Sequence, residues 1–170
     1  MKQALLLLTL VCASVTATSH HHVQGADWNT PGTKKLVKEF EGLYLTAYYC
    51  PAGVLTIGWG HTGSDVKKGM KISTAQAETF LTNDLQVFAN CVNNAVKKPL
   101  NSNQRGALVS FSFNVGCGAL QGSTLLRRIN AGENPNTVAS EELPRWNRGG
   151  GKVLPGLVRR RAAEVKFFKS

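Results

Sequence analysis

The stretch EFEGLYLTAYYCPAGVLTIGWGHTG, residues 39–63, decides the fold because its residue types change twice within a short span. It begins at the end of a helical pattern: Thr30 is a capping residue, Pro31 suits a first turn, Leu36, Val37 and Phe40 fall at helical spacing, and Gly42 is a natural stop. YLTAYY and VLTIGW then supply the β-branched and aromatic residues of strands, and Pro51-Ala52-Gly53 between them is turn chemistry. The spacing therefore predicts a helix ending at Glu41 followed by a small β-hairpin.

Everything beyond this hairpin reads as helix. Ser73 with Gln76 three residues later forms a capping box, and Leu81, Leu85, Phe88 and Val92 carry an apolar stripe. A second helix is expected over about 102–115, with Leu108 and Phe111 inward and Gly116 as its stop. A third is expected over 123–131, ended by Gly132, and a fourth from Asn134-Pro135 to about Trp146. The glycine run 149–151 is expected as a loop. A last helix follows Pro155 and is expected to turn Val158, Ala162, Val165 and Phe168 inward. The predicted class is α+β: a small sheet lobe inserted after the first helix, a larger helical lobe, and between them a groove suited to an extended polymer.

The chain has 170 residues, 42% hydrophobic and 18% charged, which suits one compact domain with its own core. Residues 1–17 differ: Lys2 precedes the apolar run ALLLLTLVCASV (4–15), and small residues follow. That layout predicts a secretory signal peptide over 1–17, shorter than the about twenty residues of a membrane span, although an anchor is the competing reading. A polar linker over 18–29, including His20-His21-His22, would lead into a domain spanning 30–170. No resident metal or cofactor is expected.

The formal charge is +10, and loss of Lys2 with a signal peptide leaves 10 − 1 = +9. Such a surplus favours polyanionic partners, but no nucleic-acid reading motif accompanies it. Removal of Cys12 leaves Cys50, Cys91 and Cys117, hence one disulfide in an oxidising compartment, with three pairings open.

Glu41 is the chemically suggestive residue. The macrodipole at a helix C-terminus disfavours a carboxylate, which suits a general acid. Hydrolysis of a sugar–sugar bond also needs a group that activates or places water; Thr56 can hold water, and Cys50 is a thiol that can serve as base or nucleophile.

Glu41, eight residues, Cys50, five residues, Thr56 and then IGWGH resembles the catalytic segment of phage-type lysozymes, the endolysin family. NQRGALVSFSFNVGCG (103–118), STLLRRINAGENP (123–135) and ELPRWNRGGGKVLPGLVRRRAAEVKFF (142–168) resemble its helical lobe, and NCVNN with NVGCG looks closest to secreted eukaryotic, especially fungal, members. The resemblance covers about residues 30 to 168. It implies a two-lobed lysozyme-like fold and cleavage of the β-1,4 bond between N-acetylmuramic acid and N-acetylglucosamine in peptidoglycan. Glu41 would be the general acid, Cys50 would stand where Asp is commoner, and Thr56 would help place water. The resemblance also implies that Cys91 and Cys117 pair, that Cys50 stays a free thiol, and that one of Arg159, Arg160 and Arg161 packs against Glu41. A paired Cys50 would instead silence the site until a reductant freed it. His61 and Asn114 are weaker candidates for substrate contact, while Trp59 and Trp146 are expected in the core. The implied protein is a secreted, extracellular monomer acting on bacterial walls, without nucleic acid or stable membrane association. A wall-binding protein with lapsed catalysis and a chitin- or chitosan-cleaving relative are the alternatives.

Overall fold

The computed structural model describes residues 27–50 and 53–170. The expected leader over 1–17, most of the linker, the histidine run and the Pro51-Ala52 turn lie outside the described residues. Helix α1 (Pro31–Glu41) starts where the sequence places it: Thr30 accepts a hydrogen bond from the Thr33 backbone N–H, and Gly42 ends the helix. Strands β1 (Tyr44–Tyr49), β2 (Leu55–Gly58) and β3 (His61–Thr62) form one antiparallel sheet in that order. The β1–β2 register sets Tyr48 opposite Thr56 and Tyr44 opposite Gly58, with an irregularity between the two pairs.

Helix α2 (Thr74–Ala95) opens on the Ser73/Gln76 capping box and buries Leu81, Leu85, Phe88 and Val92 on one face. Helix α3 (Ser102–Val115) is capped by Asn101, which forms a second box with Gln104. It is the central helix, packed against α1, α2 and the last helix, and Leu108, Val109 and Phe111 are buried along it. At Gly106 a Cβ would collide with the Thr33 hydroxyl, so a residue without one lets α1 and α3 approach closely. Helices α4 (Cys117–Gln121), α5 (Thr124–Asn130) and α6 (Pro135–Glu142) complete the lobe with α7 (Pro155–Phe168). Cys91 on α2 and Cys117 on α4 are joined by a disulfide.

Three expectations change. The fourth helix stops at Glu142 and continues only as a 3-10 turn (Leu143–Arg145), because Pro144 brings a ring where a further turn needs an N–H. The glycine run is not a plain loop: Gly150 and Gly151, at φ 56° and 77°, turn a small hairpin between β4 (Arg148–Gly149) and β5 (Lys152–Val153).

The third change is the largest. α7 buries only part of its apolar stripe: Phe168 is buried and Val165 packs against the core, but Val158 and Ala162 are exposed, and Arg160, Arg161 and Glu164 turn inward. Of the arginines that open this helix, Arg159 is exposed, but Arg161 is only 1% exposed, and Glu164 is fully buried.

Candidate active site

Two elements carry the candidate residues. α1 ends at Glu41, and the β1–β2 hairpin that follows it carries Cys50 and Thr56. Glu41 is buried, and its Oε1 accepts a 2.6 Å hydrogen bond from the guanidinium of Arg160, so the second of the three candidate arginines is the partner. Its Oε2 faces Gly60, where a Cβ would lie 3.8 Å away. Gly60 also sits at φ 91°, a conformation that side chains disfavour, so the turn after β2 stays open above that oxygen.

Cys50 and Thr56 converge on one carbonyl. The Cys50 backbone N–H donates to the Val54 oxygen at 2.9 Å, and the Thr56 hydroxyl donates to the same oxygen at 3.0 Å. Both side chains are buried. One expectation fails here: Cys50 is disulfide-bonded, and among the described residues no cysteine is free. A sulfur held in a disulfide has no proton to lose and is neither base nor nucleophile.

Behind Glu41 is a buried cluster that the sequence reading missed. Arg160 bonds Glu41 on one side and Glu164 Oε1 on the other, at 3.3 Å, and its third contact is the Ser110 carbonyl. The Ser110 hydroxyl donates to Glu164 Oε1 at 2.9 Å, and Arg161 lies 3.0 Å from Glu164 Oε2. Two guanidinium and two carboxylate groups therefore neutralise one another in a water-poor interior. Burial pushes the Glu164 carboxyl up from its ordinary value, against the pull of both arginines. Burial likewise pulls the Arg161 guanidinium down to about 10, with Glu164 opposing it. The Arg160–Glu164 and Arg161–Glu164 spacings of four and three residues on one helix are the signal that would have revealed it.

The two weaker candidates lie in different settings. Asn114, on the last turn of α3, accepts a 2.8 Å hydrogen bond from Arg161 through Oδ1, which ties it to the cluster behind Glu41. His61 is turned to the sheet–helix junction: Nδ1 bonds Asp84 on α2 at 2.9 Å, Nε2 bonds Asp65 at 3.1 Å, and the ring stacks on Phe80. Carboxylates at both nitrogens match the imidazolium, which alone donates from both. Burial works against that charge, but Asp84 and then Asp65 outweigh it and raise the His61 pKa above 6.5.

The sign of the linkage follows. Stability from this contact is fully present below 6.5, the ordinary value, and is lost as pH rises through the raised folded value. Asp84→Asn is expected to lower the urea midpoint below that pH and to converge on wild type as the pH climbs. Urea unfolding of both proteins across the range checks this; a gap independent of pH would refute it. Trp59 is buried beneath Lys38, whose ammonium lies 4.6 Å from the ring centroid, and Trp146 packs edge-on against Phe111.

Residues 38–164 match the phage lysozyme family model. The endolysin of Bacillus phage PZA is 48% identical over 137 residues, which span 79% of this chain and 52% of that protein. The chain thus spans about half the length of that relative. The endolysin of Acyrthosiphon pisum secondary endosymbiont phage 1 is 41% identical over 139 residues, 79% of this chain and 93% of that protein. Among solved structures, the muramidase domain of SpmX from Asticaccaulis excentricus is similar with a TM-score of 0.77 and 38% identity, covering 85% of this chain and 99% of that one.

Proposed function

This chain belongs to the phage lysozyme family, and on that footing we propose that it is a glycoside hydrolase cutting the β-1,4 bond between N-acetylmuramic acid and N-acetylglucosamine in bacterial peptidoglycan. The observation that carries the reading is a buried carboxyl held by one oxygen. Arg160 fixes Glu41 Oε1, and Oε2 under Gly60 is the oxygen left to take up a proton once the glycan is bound and to pass it on. That proton passes to the bridging oxygen as its bond to the anomeric carbon breaks. A water placed by Thr56, whose hydroxyl the Val54 carbonyl orients, attacks the anomeric carbon. Once its disulfide is reduced, Cys50 receives the water proton as thiolate, and attack from the face opposite the leaving group inverts configuration. The amide of Asn114, steadied by Arg161, is positioned to meet an acetamido group. All of these side chains come from one chain, which suits a monomer. The Cys91–Cys117 bridge favours an exported protein acting outside the cell that makes it.

One observation favours a second reading: a disulfide at Cys50 fits a wall-binding protein whose catalysis has lapsed. Incubation of reduced protein with purified peptidoglycan, followed by reducing-end and configuration analysis, separates them. New N-acetylmuramic acid ends of inverted configuration are expected. Binding to the polymer with no new ends would favour the second reading, and N-acetylglucosamine ends would mark the wrong bond.

A further inference from the structure

Exposed apolar surface on this protein is concentrated beside Glu41. Among the described residues, Leu43, Tyr44, Leu45 and Tyr49 on and next to β1 make up four of the seven exposed large hydrophobic side chains. Clustering on one strand, unlike scattered exposure, marks a surface built to be covered.

Two of the tyrosines on this strand form a single platform. The Tyr44 and Tyr48 rings lie 4.3 Å apart between centroids, inclined by 36°. The platform runs into the site at both ends. Tyr44 packs over Gly42, where a Cβ would stand 3.6 Å from its ring, directly after the acid in sequence. Tyr48 is the cross-strand partner of Thr56. Its hydroxyl is also close enough to Glu41 to feel its charge: burial, then Tyr44, then Glu41 push the phenol up. Tyr44 remains 49% exposed, so it is open to solvent.

We propose that Tyr44 and Tyr48 are a stacking subsite for one pyranose ring of the glycan strand, next to the ring whose bond is cut. This deepens the hydrolase reading above and rests on it. A pyranose presents a face of C–H groups with hydroxyls at its rim, and an exposed tyrosine presents an apolar ring with a polar tip. A polymer substrate needs such contacts away from the scissile bond to fix its register. A contact of this kind is made equally in ground and transition states, so its loss raises KM and spares kcat.

The test uses Tyr44→Ala and Tyr44→Phe on two substrates: intact peptidoglycan and glycan strands stripped of their stem peptides. Tyr44→Ala is expected to raise KM about threefold to tenfold on both, with kcat nearly unchanged, and Tyr44→Phe to keep the wild-type KM. An unchanged KM in Tyr44→Ala overturns the subsite. A rise on intact peptidoglycan alone overturns it too, because the platform would then hold peptide. Sedimentation of the stripped strands with each protein gives a readout independent of turnover. All proteins are assayed reduced with dithiothreitol: if reduced wild type cleaves nothing, the hydrolase reading has failed; equal co-sedimentation by wild type and Tyr44→Ala would overturn the platform itself.

Discussion

Protein with its disulfides intact is expected to release reducing ends from peptidoglycan at least roughly 100-fold more slowly than protein treated with dithiothreitol, and Glu41→Gln to be inactive in both states. The expectation follows from what Cys50 is bonded to. General-base assistance requires an ionisable group, and the Cys50 sulfur is in a disulfide. Reduction restores a thiol with an ordinary pKa of about 8.5, so the reduced enzyme should gain activity as pH rises towards that value. Cys50→Asp supplies a base that no oxidant can block, and it should be active without reductant and remain active at lower pH. Dithiothreitol also opens the Cys91–Cys117 bridge. The double variant Cys91→Ser/Cys117→Ser isolates that effect and should keep its dependence on reductant. Full turnover by wild type whose mass confirms intact disulfides would remove position 50 from the chemistry.

The same residue shows where sequence reading runs out. Export left three possible cysteine pairings, and hydropathy and spacing do not choose among them; the disulfide state of Cys50 depends on which chain segments meet in space. Features set by local physics were readable. Thr30 and Pro31 before α1, Gly42 after it and the Ser73/Gln76 box are decided within a few residues, and the structure has them in place. Pro144 in the fourth helix and the paired glycines at 150 and 151 are equally local signals. The hairpin the glycines turn was not read because Arg148–Gly149 and Lys152–Val153 are only two residues each, too short to show a strand pattern.

The reading of α7 held for Phe168 and Val165 and missed its buried charges for a deeper reason. Periodicity places apolar residues inward by assuming that charges seek water. That assumption breaks where charges cancel: Arg160, Arg161 and Glu164 are buried with Glu41, 119 residues from Arg160 along the chain. A hydropathy window around α7 cannot contain the carboxylate that makes its buried face tolerable. Local chemistry singles out Glu41 and Thr56, but their proposed roles come from the resemblance, since a lone Glu after a helix is ordinary on sequence grounds. What sets this Glu apart is the cluster behind it, and the cluster exists only in the fold.

That cluster yields the other large effect. Arg160→Met removes the one group bonded to both Glu41 and Glu164 and leaves two carboxylates with a single buried guanidinium, that of Arg161. Breaking a buried pair from one side costs roughly 3–5 kcal/mol, because an uncompensated charge remains out of water. In a chain of this size that corresponds to a fall of about 6–20 °C in Tm. Charge balance makes the expectation specific. Glu164→Gln in the Arg160→Met background returns the cluster to one positive and one negative group, so the double variant should melt above Arg160→Met. A purely steric loss would give additive costs, which a double-mutant cycle distinguishes. Stability and activity should also separate. The double variant recovers charge neutrality but not the grip on Glu41 Oε1, so its kcat should stay low at temperatures where it is fully folded. If Arg160→Met melts with wild type, or if the double variant recovers turnover together with stability, then Arg160 neither balances the buried carboxylates nor holds the acid in place.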